Sequence, residues 1–137
     1  MKNVFFPIVL LIIALTTFGM FQKPEKTSKN ISAKEAYDLI QKDSTIVWFD
    51  VRRLDEYRGK TGHLKGALLI PIQELEQRVK ELEPYKKKTI IAYCRTGRRS
   101  GIATELLSKK GFTVFNLEGG IVKWNEEKLP VVNESQQ

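Results

Sequence analysis

The sequence predicts an α/β domain in which a parallel sheet is flanked by helices. Short runs rich in β-branched and aromatic residues alternate along the chain with segments of helical periodicity, and strands joined by helices pair in parallel. One of those runs, Thr89–Tyr93 (TIIAY), is almost wholly apolar, as suits a strand covered on both faces. The 137 residues, 42% hydrophobic and 28% charged, suffice for one compact domain and are too few for two of ordinary size.

Taken in order, Ser32 followed by Glu35 has capping-box spacing and opens a helix through about Gln41, with Ala36, Leu39 and Ile40 on one face. Residues 45–51 (TIVWFDV) read as a strand. A short strand at residues 67–70 stops at Pro71, and residues 72–82 then show helical spacing, with Ile72, Leu75, Val79 and Leu82 on one side. The strand Thr89–Tyr93 runs directly into a loop at Cys94, and residues 100–110 form the next helix, which Gly111 ends. Thr113–Leu117 is a further strand, and Gly119-Gly120 turns the chain into a last short helix around Trp124. The domain so read occupies residues 31–132, with a polar tail at 133–137 and no internal repeat.

Ahead of the domain, residues 3–22 carry no charge and are mostly Val, Ile, Leu, Phe and Ala. As a helix rising ~1.5 Å per residue, this run is roughly 30 Å long, the hydrocarbon thickness of a bilayer. The expectation is an N-terminal hydrophobic helix within residues 1–22, serving as a signal-anchor or a signal peptide. Thr17-Phe18-Gly19 is a passable cleavage site, and the length favours an uncleaved anchor. Residues 23–30, polar and containing Pro24, read as a tether. The protein is expected to be membrane-anchored or exported, with its domain on the periplasmic or extracytoplasmic side. Lys23, Lys26 and Lys29 beyond the apolar run weaken the charge argument for that orientation.

The formal net charge is +7. Residues 1–29 hold Lys2, Lys23, Lys26 and Lys29 against Glu25, leaving the rest mildly basic. That balance suits small anionic ligands or an anionic membrane surface. No aromatic-interleaved basic stripe points to nucleic acid. The single cysteine, Cys94, excludes an internal disulfide, and with His63 as the single histidine no metal site is expected. If Cys94 has a role, it acts as a thiol.

The stretch Tyr93-Cys94-Arg95-Thr96-Gly97-Arg98-Arg99-Ser100 joins the end of an apolar strand to the start of a helix. Ligands of open α/β sheets bind at that end of the strands, and a loop entering a helix presents free N–H groups to anions. Those donors and three nearby guanidinium groups should favour a thiolate. Gly97 allows a positive φ, which would curl the N–H groups inward around the sulfur. A nucleophile, an anion cradle and positive charge therefore converge at one turn.

The loop resembles the active-site loop of the rhodanese-like domain family, Cys-x-x-Gly-x-Arg, here Cys94 to Arg99. Phe49-Asp50-Val51-Arg52 with Glu56-Tyr57 resembles that family's Asp-Val-Arg…Glu-Tyr segment. Gly62-His63-Leu64-Lys65-Gly66-Ala67 with Ile70-Pro71 resembles its Gly-His-Ile-x-Gly-Ala…Ile-Pro segment. Leu117-Glu118-Gly119-Gly120 with Trp124 and Pro130-Val131 resembles its closing Gly-Gly…Trp…Pro-Val. Four segments in register cover the whole domain.

The resemblance implies a single small α/β domain and a sulfurtransferase that moves a sulfane sulfur from a small anionic donor, such as thiosulfate or a persulfide, to cyanide or a thiol. It implies Cys94 as the catalytic nucleophile, carrying the sulfur as a persulfide with no cofactor. Arg95, Thr96, Gly97, Arg98 and Arg99 are the implied substrate-binding residues, their N–H groups cradling the persulfide. Arg95 and Arg99 are the side chains expected to meet an anionic donor, and which arginine points inward stays open. Asp50, Arg52 and Glu56 are expected to tie loops together by ion pairs, and His63 to brace a loop. Two alternatives are a non-catalytic binding module and, further off, a phosphatase. Phosphatases of this fold have five residues between Cys and Arg, whereas here there are four, with Ser100 where that Arg would fall.

Overall fold

The computed structural model describes residues 29–134. The expected apolar helix of residues 3–22 lies outside the described residues, as do most of the tether and the last three residues of the tail. Among the described residues, no helix is long and apolar enough to cross a membrane.

Five parallel strands form one sheet: β1 (Lys29–Ile31), β2 (Val47–Asp50), β3 (Leu68–Leu69), β4 (Thr89–Tyr93) and β5 (Thr113–Leu117), in the order β1-β5-β4-β2-β3. The helices are α1 (Ala33–Lys42), α2 (Leu54–Tyr57), α3 (Leu75–Arg78), α4 (Arg98–Lys109) and α5 (Gly120–Glu126). Strand β4 is central, and its side chains alternate between two cores. Ile90, Ala92 and Cys94 face Leu75, Leu82, Ala103 and Leu107 on one side of the sheet. Ile91 and Tyr93 face Ala33, Ala36, Ile121 and Trp124 on the other. An all-apolar strand with a helical layer on each face is what TIIAY requires.

The predicted α/β class and helix-flanked parallel sheet hold, with three differences in detail. Lys29 and Asn30, read as tether, pair with Phe115 and Asn116 of β5. Three residues are too few for an alternation signal, and the strand exists because it covers the edge that β5 would otherwise expose. The single helix expected over residues 72–82 is broken into a 3₁₀ turn at Ile72–Glu74, α3, and a 3₁₀ stretch at Val79–Tyr85 containing Pro84. A proline ring collides with the carbonyl four residues earlier, so α-type bonding cannot run through that end. The apolar spacing still marks the inward face, since Leu75 and Leu82 are buried. Helix α2 is one turn long, too short to leave a periodic signature. The capping box at the start of α1 is present, with Glu35 N–H donating to Ser32 Oγ at 3.2 Å and Ser32 N–H to Glu35 Oε2 at 3.0 Å.

At the C-terminal edge of the sheet, Asp50 and Arg52 form a fully buried ion pair, at 0% and 1% exposure. Arg52 Nη2 lies 2.7 Å from Asp50 Oδ2, and Nε is 3.0 Å from Asp50 Oδ1. The remaining guanidinium donors reach Thr61 Oγ1 and the Gly62 carbonyl, each at 2.8 Å. Burying a guanidinium is costly, and removing its counter-charge leaves that cost uncompensated. Asp50→Asn should therefore destabilise the domain by about 3–5 kcal/mol, read as a lowered urea midpoint. A loss under about 1 kcal/mol would mean that the pair is exposed to water in solution.

Candidate active site

Strand β4 delivers Cys94 to the sheet's C-terminal edge, and α4 begins at Arg98, two residues earlier than the sequence suggests. Arg98 and Arg99 thus lie in the first turn of the helix. Gly97 caps it with φ 97°, the left-handed conformation expected of this glycine. The start of α5 grips the loop from outside: Ile121 N–H donates to the Cys94 carbonyl at 2.9 Å and Val122 N–H to the Arg95 carbonyl at 3.1 Å. That approach requires Gly120, because a Cβ there would lie 2.5 Å from the Cys94 carbonyl oxygen.

Cys94 is 1% exposed, so its sulfur sits at the bottom of the loop and not on its rim. Gly97 N–H donates to Sγ at 3.1 Å, and Ser100 Oγ lies 3.4 Å from the sulfur. Ser100 also donates to Asn116 Oδ1 at 2.6 Å, so its one hydroxyl proton serves one of the two acceptors at a time. Asn116 is oriented by its amide nitrogen, which donates to the Gly97 carbonyl at 3.1 Å and to Asn30 Oδ1 at 3.0 Å. Burial, the largest single influence, pushes the Cys94 thiol up. The Ser100 hydroxyl and the N–H groups of Ser100, Gly97 and Thr96 together outweigh it, and the thiol ends below its ordinary value. The cradle can therefore hold a thiolate, or a sulfur anion bonded to it.

The three arginines divide. Arg95 and Arg98 are exposed, and Thr96 beside them contributes its N–H to the sulfur. Arg99 is the inward one: it senses the charge of Cys94, and its fork is held by Glu56, Nη1 to Oε2 at 2.8 Å and Nη2 to Oε1 at 2.7 Å. The bonds from Arg99 hold the Glu56 carboxyl down at about 2. Arg95 lines a cleft of about 250 Å³ with Arg52, Glu56, Gly59, Lys60 and Thr61. His63 is a brace, stacked on Tyr57 with ring centroids 3.7 Å apart and bonded through Nδ1 to the Tyr57 carbonyl at 3.1 Å. Sequence reasoning missed Ser100 as a partner of the sulfur and Asn116 as the partner of Ser100. The signal for Ser100 was its place one residue past the loop arginines, whereas Asn116 in a strand carries none. Glu56 was read as a loop tie without its partner, because a contact across 43 residues of sequence leaves no local trace.

The family model of the rhodanese-like domain matches residues 32–127. The thiosulfate sulfurtransferase PspE of Escherichia coli (strain K12) is 39% identical over 74 residues, covering 54% of this chain and 69% of that protein. The tRNA uridine(34) hydroxylase of Acinetobacter baumannii (strain AYE) is 36% identical, covering 85% of this chain but 38% of that longer protein. The crystal structure of a rhodanese-related protein from Thermoplasma volcanium superposes with a TM-score of 0.70 at 36% identity, over 77% of this chain and 99% of that one. With the family model covering most of the described residues and the predicted loop folded as a cradle around Cys94, this chain belongs to the rhodanese-like domain family.

Proposed function

We propose that the protein is a sulfurtransferase that carries a sulfane sulfur on Cys94. The observation that carries this reading is the sulfur's setting: a buried thiol at the end of β4, accepting the Gly97 N–H at 3.1 Å with the Ser100 hydroxyl 3.4 Å away, and held below its ordinary pKa by that hydroxyl and the N–H groups of the loop. In the first step the Cys94 thiolate attacks the outer sulfur of thiosulfate. A bond forms between Sγ and that sulfur, the bond to the sulfonate breaks, and its electron pair leaves as sulfite. The resulting persulfide anion gains the donors that held the thiolate. In the second step cyanide or a thiolate attacks the terminal sulfur, and the Cys94 thiolate is the leaving group. Exposed Arg95, beside Lys60 in the cleft, supplies positive charge for an anionic donor. The name of the relative PspE points the same way. An arginine in the place of Ser100, as a phosphatase would need, finds no room, since Ser100 is fully buried against Asn116. We also propose that residues 3–22 anchor or export the domain, a reading supported by the uncharged run alone.

Cys94→Ser should abolish sulfur transfer from thiosulfate to cyanide while leaving the circular dichroism unchanged. Intact mass after donor treatment should show one added sulfur on the wild type and none on the variant. A folded wild type that accepts no sulfur from thiosulfate or a small persulfide would favour a binding module. The rate of Cys94 alkylation by iodoacetamide, which follows the thiolate, should rise with an inflection at lower pH than that of a free cysteine peptide. In Ser100→Ala the lost donor should move that inflection to higher pH. A wild-type inflection no lower than that of a free cysteine peptide measured alongside would contradict the cradle's effect on the thiol. For the anchor, the full chain should stay with the membrane fraction through an alkaline carbonate wash, whereas soluble recovery of an uncleaved chain would defeat it.

A further inference from the structure

Arg99 lies in the first turn of α4, where the loop that carries Cys94 enters the helix. Its guanidinium senses the Cys94 sulfur, yet both terminal nitrogens are already engaged, each by one oxygen of Glu56. The pair is partly shielded, at 29% and 23% side-chain exposure, and Glu56 is held in place a second time by the Arg53 N–H at 3.1 Å from Oε2. A carboxylate that meets a guanidinium edge-on through two oxygens offers the arrangement that a sulfonate edge would offer. The oxyanion end of an incoming donor and Glu56 therefore compete for the same fork. Arg95, by contrast, is exposed on the cleft that Glu56 also lines.

We propose that Glu56 is a specificity-determining residue, an internal stand-in for an oxyanion that keeps Arg99 occupied and so penalises donors carrying oxyanion charge relative to small uncharged-tail persulfides. This rests on the sulfur-transfer reading above and adds the charge class of donor that the site prefers. A thiosulfate ion must either displace Glu56 from Arg99 or lie beside its negative charge. A persulfide whose far end bears no charge needs neither. The carboxylate thus sets a threshold that Arg95 and Lys60 offset in part.

The test removes the charge and keeps the shape, because Glu56→Gln retains a carbonyl oxygen for the Arg53 N–H. At an effective dielectric near 20, deleting one charge beside the site should lower the KM for thiosulfate about fivefold or more. The KM for an alkyl persulfide with an uncharged tail should change less than twofold. A second readout needs no sulfur transfer: the ratio of Cys94 alkylation rates with anionic iodoacetate and neutral iodoacetamide. That ratio should rise about fivefold in Glu56→Gln and fall below wild type in Arg99→Ala. Glu56→Asp, one methylene shorter and still charged, should give an intermediate ratio and covers the case of a poorly folded glutamine variant. An unchanged or lower iodoacetate preference in folded Glu56→Gln or Glu56→Asp would overturn the proposal. Equal changes in KM for both donors would overturn it too, showing a merely structural tie. If no variant or wild type transfers sulfur, yet the alkylation ratio shifts as stated, the sulfur-transfer reading fails while the competition of Glu56 for Arg99 stands.

Discussion

The C-terminal edge of the sheet is organised around one buried cation. Arg52 has five N–H donors, almost no access to water, and a charge that Asp50 neutralises directly. Its donors reach Asp50, Thr61 Oγ1 and the carbonyls of Gly62 and Glu56, so residues 56–62 must come to the guanidinium. Bringing them there places the Glu56 side chain opposite Arg99 and puts Lys60 on the cleft that Arg95 also lines. Tyr93, opposite Asp50 in register, lies under the same guanidinium at 5.5 Å and accepts the Leu64 N–H at 3.0 Å. Burial and the charge of Asp50 push its phenol far above the ordinary range, so it stays neutral. An apolar pair of like volume would pack as well, and would leave the loop around the cleft without a reason to close.

Charge at the start of α4 has the wrong sign for stability alone. Anions favour the N-terminus of a helix, yet the first turn here holds Arg98 and Arg99 and no acidic residue. The anions come from elsewhere in the chain, Cys94 from the preceding strand and Glu56 from α2. The sulfur's own acidity then follows from hydrogen bonds more than from the arginines. The sequence suggested three guanidinium groups acting on the thiol, but two of them are exposed and the third is shared with Glu56. Their positive charge acts on what approaches the sulfur, while N–H and O–H groups act on the sulfur itself.

What could be read from the chain follows the range of the interaction. Period-two burial in β4, the capping box of Ser32 and Glu35, and the left-handed Gly97 are local, and each was legible. The position of Cys94 in an N–H cradle was legible for the same reason, since strand, cysteine, glycine and helix adjoin in sequence. Interactions between distant segments were not. Strand β1 has no pattern of its own and exists because of β5, and Asn116 acquires its role only when β5 lies beside both β1 and the loop. The change from α-type to 3₁₀ bonding within residues 72–82 was not legible, because the apolar spacing is compatible with both and Pro84 stands beyond the expected helix, where it stops α-type bonding only from Lys80 onward.

The recurrence of separated segments around one sulfur has a backbone explanation. Turning an N–H toward the sulfur turns neighbouring carbonyls away from it, and every buried carbonyl needs a donor. In this loop the Cys94 carbonyl takes Ile121 N–H and the Arg95 carbonyl takes Val122 N–H, both available because Gly120 lets α5 approach. The Gly97 carbonyl takes Gly101 N–H at 3.0 Å and the Asn116 amide. Asn116 in turn is steadied by Asn30 at the sheet's edge. The Gly119-Gly120 turn therefore belongs to the cysteine loop as closely as Gly97 does, though more than twenty residues separate them. A cradle of inward N–H groups can persist without an anion in it only if its outward carbonyls are held, and strand β5 with helix α5 is what holds them.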